Sequence, residues 1–169
     1  MKSEELRSIQ TPIKELYRVN PESAIITLKA QGRLGENVSC NVETGKALRE
    51  AGLHKATGGT GMLACSGDML LEALVACAGV TLNAVATSTG IEVTKGIVKA
   101  EGDLDFRGTL GVSKEVPVGF KEIRLIFEIE SNAPEEQLQK LIQLTERYCV
   151  VLQTISNPSN IVTSTKRIV

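Results

Sequence analysis

Four cysteines, Cys40, Cys65, Cys77 and Cys149, are the residues best equipped to do chemistry in this chain. A thiolate is a nucleophile and a metal ligand, whereas a protonated thiol is a poor version of either. The four are widely spread and no Cys-x-x-Cys pair occurs. That spacing argues against a zinc-finger type of site. The N-terminal run Met1-Lys2-Ser3-Glu4-Glu5-Leu6-Arg7 has no apolar leader, so a cytoplasmic protein is expected. A reducing compartment does not sustain a static disulfide framework. Thiol chemistry and plain burial are therefore the two readings for each cysteine.

Cys77 falls about three turns into an apolar run that begins near Gly67. The helix dipole acts mainly over the first turn, so it does little for a thiol so far along. A reactive Cys77 therefore needs a nearby cation to hold its thiolate. Arg33, in the run Gly32-Arg33-Leu34-Gly35, is the candidate, presented by a glycine-rich hairpin turn. The plain alternative is a solvated turn arginine. His54 is the one histidine, in a glycine-rich loop, and is assigned no role. Cys149 follows Tyr148 near the end of a second helical run, and it meets Cys77 only if the two helices pack together. Cys65, just before the first helix, is a lesser rival to Cys77, and Cys40 lies on a strand.

The elements that must position these residues read as follows. Residues 3–18 form a helix weakened by Pro12 and ended by Asn20-Pro21, an arm whose stability depends on docking. Residues 24–30 and Val38 to Glu43 pair as a hairpin across a turn of Gln31 to Asn37 that holds two glycines. The stretch from Thr44 to Cys65 is glycine-rich and irregular, with a short helix near Lys46 to Glu50. Ser66 caps a helix from Gly67 to Gly90 that is apolar on nearly every face, so it is expected to be buried rather than to span a membrane. Ile91 to Asp105 and Phe120 to Glu130 are strands, the second by clear alternation, with a long turn through Arg107–Gly111 between them. Pro134, Glu135 and Glu136 open the second helix, which runs through Cys149 for about another turn. Ile161 to Val169 is a last strand. Residues 1–20 thus form an N-terminal helical arm and residues 21–169 a single α+β domain.

Bulk composition narrows the function. With 169 residues, 42% hydrophobic and only 3% aromatic, the chain can build one core, chiefly from aliphatic side chains. Nineteen basic and twenty acidic residues leave a net charge of −1. Neither nucleic acid nor an anionic membrane is the expected partner of such a balance.

Several segments, taken in order, resemble the OsmC/Ohr family of osmotically inducible and organic hydroperoxide resistance proteins. Gly67-Asp68-Met69-Leu70-Leu71-Glu72-Ala73-Leu74-Val75-Ala76-Cys77 is similar to that family's first helix, ending on its peroxidatic cysteine. Glu146-Arg147-Tyr148-Cys149 and the residues after it are similar to the second, with its resolving cysteine. Gly32-Arg33-Leu34-Gly35 is similar to the turn carrying the active-site arginine. The resemblance covers Ala24 to Val169 and departs at two positions: Gly67 stands where the Ohr-like branch has glutamate, and Val150 where proline is usual.

The resemblance implies antiparallel strands wrapped around two central helices in an intertwined homodimer, with active sites at the subunit interface. It implies no cofactor. The reaction it implies is reduction of an organic hydroperoxide: Cys77 becomes a sulfenic acid, Cys149 resolves it to a disulfide, and Arg33 steadies the developing charge. A dithiol reductant, in the Ohr branch a lipoylated protein, then restores both thiols. The alternatives are the same fold with inert thiols, as a binding protein, and a redox sensor oxidised once as a signal.

Overall fold

The computed structural model describes residues 3–34, 40–42, 51–157 and 159–167. Its frame is a four-stranded antiparallel sheet of β1 (Ile25–Leu34), β2 (Cys40–Val42), β3 (Lys95–Asp105) and β4 (Phe120–Glu130), in the order β2-β1-β3-β4. Burial alternates along β3: Val98, Ala100 and Leu104 are buried, while Ile97, Lys99, Glu101 and Asp103 are half-covered on the opposite face. Period-two alternation of this kind gives one face to a core and one to solvent.

Across the apolar face lies α2 (Ser66–Thr89). Leu71, Leu74, Val75, Ala78, Gly79, Leu82, Val85 and Ala86 are its buried residues. By length and composition α2 would pass for a membrane span. Here that apolar character is divided between the sheet on one side and α4 (Glu135–Tyr148) and α5 (Val150–Ser156) on the other. Close approach to the sheet is helped by Gly102, where a Cβ would stand 2.5 Å from the Phe120 ring and 3.4 Å from the Leu71 side chain. Gly90 ends α2 with φ +70°, donating its N–H to the carbonyls of Ala86 and Thr87. That left-handed geometry suits glycine at a helix stop.

The far face of the sheet is a charged ladder. Lys99 pairs with Glu128, and Arg124 reaches Asp103 at 2.7 Å, Glu122 at 3.2 Å and Glu101 at 3.5 Å. Thr27 adds a hydroxyl to Asp103 at 2.5 Å. The hydrogen bonds from Arg124 first, and from Thr27 next, hold the Asp103 carboxyl down at about 2. A carboxyl depressed in the folded state stabilises above its unfolded value of roughly 3.9 and loses that contribution as pH falls toward the folded value. Asp103→Asn is therefore expected to lower Tm at pH 7, with the gap to wild type closing between pH 4 and pH 2. Thermal melts across that range test it, and a gap constant with pH contradicts it.

The arm α1 (Ser3–Val19) docks on the following loop. Tyr17 is buried and donates its hydroxyl to the Ala56 carbonyl at 2.7 Å, and Gln10 donates to the Thr57 carbonyl at 3.2 Å. His54 holds that loop: its Nδ1 accepts the Ala56 N–H at 3.0 Å and its ring stacks on Phe106 at 4.9 Å.

The structure corrects several expectations. Gln31 to Leu34 are not a turn but the end of β1, because Gly32 and Arg33 find ladder partners on both sides, Val98 and Ile97 in β3, Val42 and Asn41 in β2. Ser66 is the first residue of α2 and Cys65 its cap, with no side-chain capping bond. β3 starts at Lys95, not Ile91. The long turn after it opens with a short helical segment, α3 (Phe106–Thr109), fixed by the buried Asp105 carboxylate, which accepts the Arg107 N–H and grips its guanidinium. Residues 159–167 form no strand, since none of the described strands pairs with them, and Ile161 and Val162 are 82% and 84% exposed. The helix expected near Lys46 to Glu50, and the outer residues of the Val38 to Glu43 strand, lie outside the described residues.

Candidate functional site

Cys77 and Cys149 are brought together by a break between two helices. α4 ends at Tyr148, with the Cys149 N–H bonded to the Thr145 carbonyl at 2.9 Å. Cys149 itself is extended (φ −72°, ψ 104°), and α5 begins at Val150, with the Gln153 N–H on the Cys149 carbonyl. The expected uninterrupted helix through Cys149 is thus two helices. Amides in a helix's first turn have no partner inside the helix. Those of Val150 and Val151 donate instead to the Cys77 thiol, which also receives hydrogen bonds from the Cys149 thiol and from the Thr81 hydroxyl, one turn further along α2.

The two sulfurs are unlike in character. Partial burial alone would raise the Cys77 pKa, but the Val151 amide, the Cys149 thiol, the Thr81 hydroxyl and the Val150 amide outweigh it and bring Cys77 below the ordinary thiol value. Cys149 is fully buried, and burial pushes it up to about 11; the amides of Leu152 and Val151 offset this only in part, and the neighbouring Cys77 adds to it. Negative charge therefore collects on Cys77, the partly exposed sulfur, and the proton stays on Cys149.

Among the described residues of one chain no cation joins this set, and its donors are two backbone amides, a hydroxyl and a thiol. No glycine or proline marks the break, and only the β-branched pair Val150-Val151 hints that the helix is interrupted. Val150 matters because it has an N–H, which proline lacks. Val150→Pro keeps a residue suited to the first helical position but deletes a donor. Alkylation of Cys77, followed against pH by mass spectrometry, is expected to show a higher inflection and a several-fold slower rate at neutral pH. An unmoved inflection would remove Val150 from the site.

Arg33 is not brought to Cys77 within one chain. Its register partner in β3 is Ile97, so it stands on the charged face of the sheet, with Thr27 and Asp103, opposite the face that carries α2. It is exposed there. Cys65 caps α2 away from the pair, and Cys40 sits on β2 opposite Leu34. Among the described residues no three His, Cys, Asp or Glu side chains group as metal ligands.

A cavity of about 460 Å³ opens between α2, β4 and α5, lined by Leu70, Leu74, Phe120, Ile123, Leu152 and Ile155, with Lys121 and Glu122 at its margin. Leu74 and Leu70 precede Cys77 by one and two turns of α2, and Leu152 belongs to the first turn of α5. The cavity and the thiol pair therefore share two helices.

A family model described as OsmC-like protein matches residues 59–164, well over half of the chain. Two solved structures are similar. One is an OsmC-like hydroperoxide resistance protein from Jannaschia sp. CCS1, with a TM-score of 0.62 at 17% identity over 85% of this chain and 95% of that one. The other is an OsmC-like protein from Mycoplasma pneumoniae, with a TM-score of 0.52 at 22% identity over 79% of this chain and 86% of that one. At these identities the likeness establishes a shared fold. No curated protein sequence matches the chain.

Proposed function

The chain belongs to the OsmC-like protein family, and on that premise we propose that it is a thiol-dependent peroxidase acting on organic hydroperoxides and, more slowly, on hydrogen peroxide. The observation that carries this reading is the hydrogen-bonded pair in which Cys77 is partly exposed and acidified while Cys149 is buried and protonated. That is the division of labour a two-cysteine peroxidase requires.

The Cys77 thiolate attacks the terminal oxygen of the hydroperoxide. The O–O bond breaks, an S–O bond forms, and the alcohol departs with a proton, leaving Cys77 as a sulfenic acid. Cys149 then displaces hydroxide from the sulfenic sulfur, giving the Cys77–Cys149 disulfide and water. An external dithiol, a lipoylated protein by the family's pattern, returns both thiols by exchange. The amides of Val150 and Val151 are fixed donors at the reacting sulfur and need no reorganisation as charge moves. The aliphatic cavity between α2 and α5 favours an alkyl or aryl tail over hydrogen peroxide.

The functional unit is an intertwined homodimer. The α2 surface carrying Met69, Leu70, Ala73, Val80 and Ala84 is exposed in the single chain although it is apolar, and such a stripe is usual at an interface. β4 has an open edge, and the tail at 159–167 has strand-like composition without a ladder. Arg33 serves the Cys77 of the second copy, consistent with its place on the sheet face away from its own α2. Mixing distinguishes the two arrangements. Arg33→Ala and Cys77→Ser homodimers are each expected to be impaired; a mixed dimer rebuilds one of its two sites, so equal amounts re-associated at random are expected to recover about a quarter of the wild-type rate. Mixtures no better than their parents would place Arg33 in its own chain's site or in none.

The assay for the function itself is peroxide consumption by purified protein with a dithiol, comparing cumene hydroperoxide with hydrogen peroxide. Faster Cys77-dependent turnover of the organic peroxide is expected. No turnover of either, with Cys77 still reduced, would overturn the reading.

A further inference from the structure

We propose that Cys149 is first a general acid and only then a nucleophile: its proton drives a relay that protonates the departing alcohol, and giving that proton up is what arms it to close the disulfide. This rests on the peroxidase reading above and deepens it.

A hydroperoxide is a reluctant electrophile because its leaving group is an alkoxide, so the O–O bond breaks readily only if a proton arrives as it does so. Among the described residues of its own chain, four donors reach the Cys77 sulfur: the Val150 and Val151 amides, the Thr81 hydroxyl and the Cys149 thiol. Amides do not release a proton. Thr81 is an alcohol, no stronger an acid than the alcohol being formed, so a transfer from it gains nothing. Of the four, only Cys149 is both much more acidic than the leaving group and protonated at neutral pH. Its hydrogen bond already points at the reacting sulfur, and it is fully buried. Among the described residues of the chain, no other donor to Cys77 can hand over its proton.

The step balances as follows. Cys77 thiolate, hydroperoxide and Cys149 thiol become Cys77 sulfenic acid, alcohol and Cys149 thiolate. Two electrons pass from the Cys77 sulfur to the peroxide; the attacked oxygen's own proton passes to the leaving oxygen, and the Cys149 proton replaces it on the oxygen that Cys77 keeps. Cys149 thiolate then attacks the sulfenic sulfur, and hydroxide leaves and takes a proton from solvent. A thiol held up to about 11 would otherwise be nearly all protonated when its turn as nucleophile came.

Peroxides whose leaving groups need no proton separate this role from a structural one. In rapid mixing without dithiol, Cys77 oxidation is followed by dimedone trapping and mass spectrometry, with tert-butyl hydroperoxide and with peracetic acid, whose leaving group is a carboxylate. Cys149→Ala is expected to slow the alkyl hydroperoxide by roughly a hundredfold more than the peracid, within the usual range for general acid catalysis. Any slowing common to both measures the lost hydrogen bond to the thiolate. Cys149→Ser, which keeps the size but not the acidity, should show the same selective loss. In wild type, sulfenic acid should build up after peracetic acid, which leaves Cys149 protonated, and not after tert-butyl hydroperoxide. Equal slowing of both peroxides in both variants would overturn the general-acid role while leaving the peroxidase reading in place. A wild-type Cys77 that reacts with neither peroxide would sink both.

Discussion

A Cys77→Ser protein is expected to fold as wild type does and to consume no hydroperoxide above background. Serine is close to cysteine in size and accepts the same hydrogen bonds from Thr81 and from the Val150 and Val151 amides, so the α2–α5 contact should survive. Its oxygen, however, neither ionises near neutral pH nor accepts an oxygen atom from a peroxide, and both properties are needed in the first step. Cys149 cannot stand in, because burial keeps it protonated up to about 11 and away from solvent. The measurement is peroxide loss with a dithiol, paired with far-ultraviolet circular dichroism to show that the fold is intact. Turnover retained in a folded Cys77→Ser protein would transfer the chemistry to another residue, and Cys65, beside the start of α2, would be examined next.

The second large effect concerns stability. Leu141 is wholly buried where α4 packs on α2, beside Thr145, whose hydroxyl returns to the Leu141 carbonyl at 2.8 Å. Leu141→Ala removes its aliphatic side chain beyond the Cβ and leaves a cavity in a packed interface, a change that costs about 2–5 kcal/mol. For a domain of this size that corresponds to a fall in Tm of roughly 5–15 °C. The effect reaches the site because Thr145 also accepts the Cys149 N–H. With α4 loosened, the Cys77 thiolate loses part of its donor set even in molecules that remain folded. Alkylation of Cys77 well below the new melting temperature is therefore expected to slow at neutral pH. A lowered Tm with unchanged Cys77 reactivity would show that α5 holds its place without α4.

How much of this was legible in the sequence depended on whether a signal was local. The alternation of Ile123, Leu125, Phe127 and Ile129 gave β4 its bounds, and Gly90 marked the end of α2. The apolar run around Leu71, Leu74 and Leu82 announced a buried helix, and the motifs around Cys77 and Cys149 named the pair. What the sequence did not carry was the join between elements. The helical periodicity runs unbroken through Tyr148, Cys149 and Val150, so the break that aims two amides at Cys77 left only a faint trace. Arg33 was misplaced for a related reason: two glycines flank it, and a turn was the sound local reading, but strands on both sides of it supply hydrogen-bond partners and extend β1 to Leu34. The last strand differs in the opposite sense, since Ile161 and Val162 have the composition of a strand but join no ladder among the described residues.

The helix break also decides which part of the molecule yields when it is oxidised. Joining Cys77 to Cys149 draws two sulfurs from hydrogen-bonding separation to covalent length, and something must travel. α2 is anchored by eight buried residues, whereas α5 has none. The seven-residue α5, with no buried residue, is the element least held in place, and it carries Leu152 and Ile155, one wall of the cavity. On the proposed reaction, the oxidised and reduced forms would therefore differ in the shape of that wall.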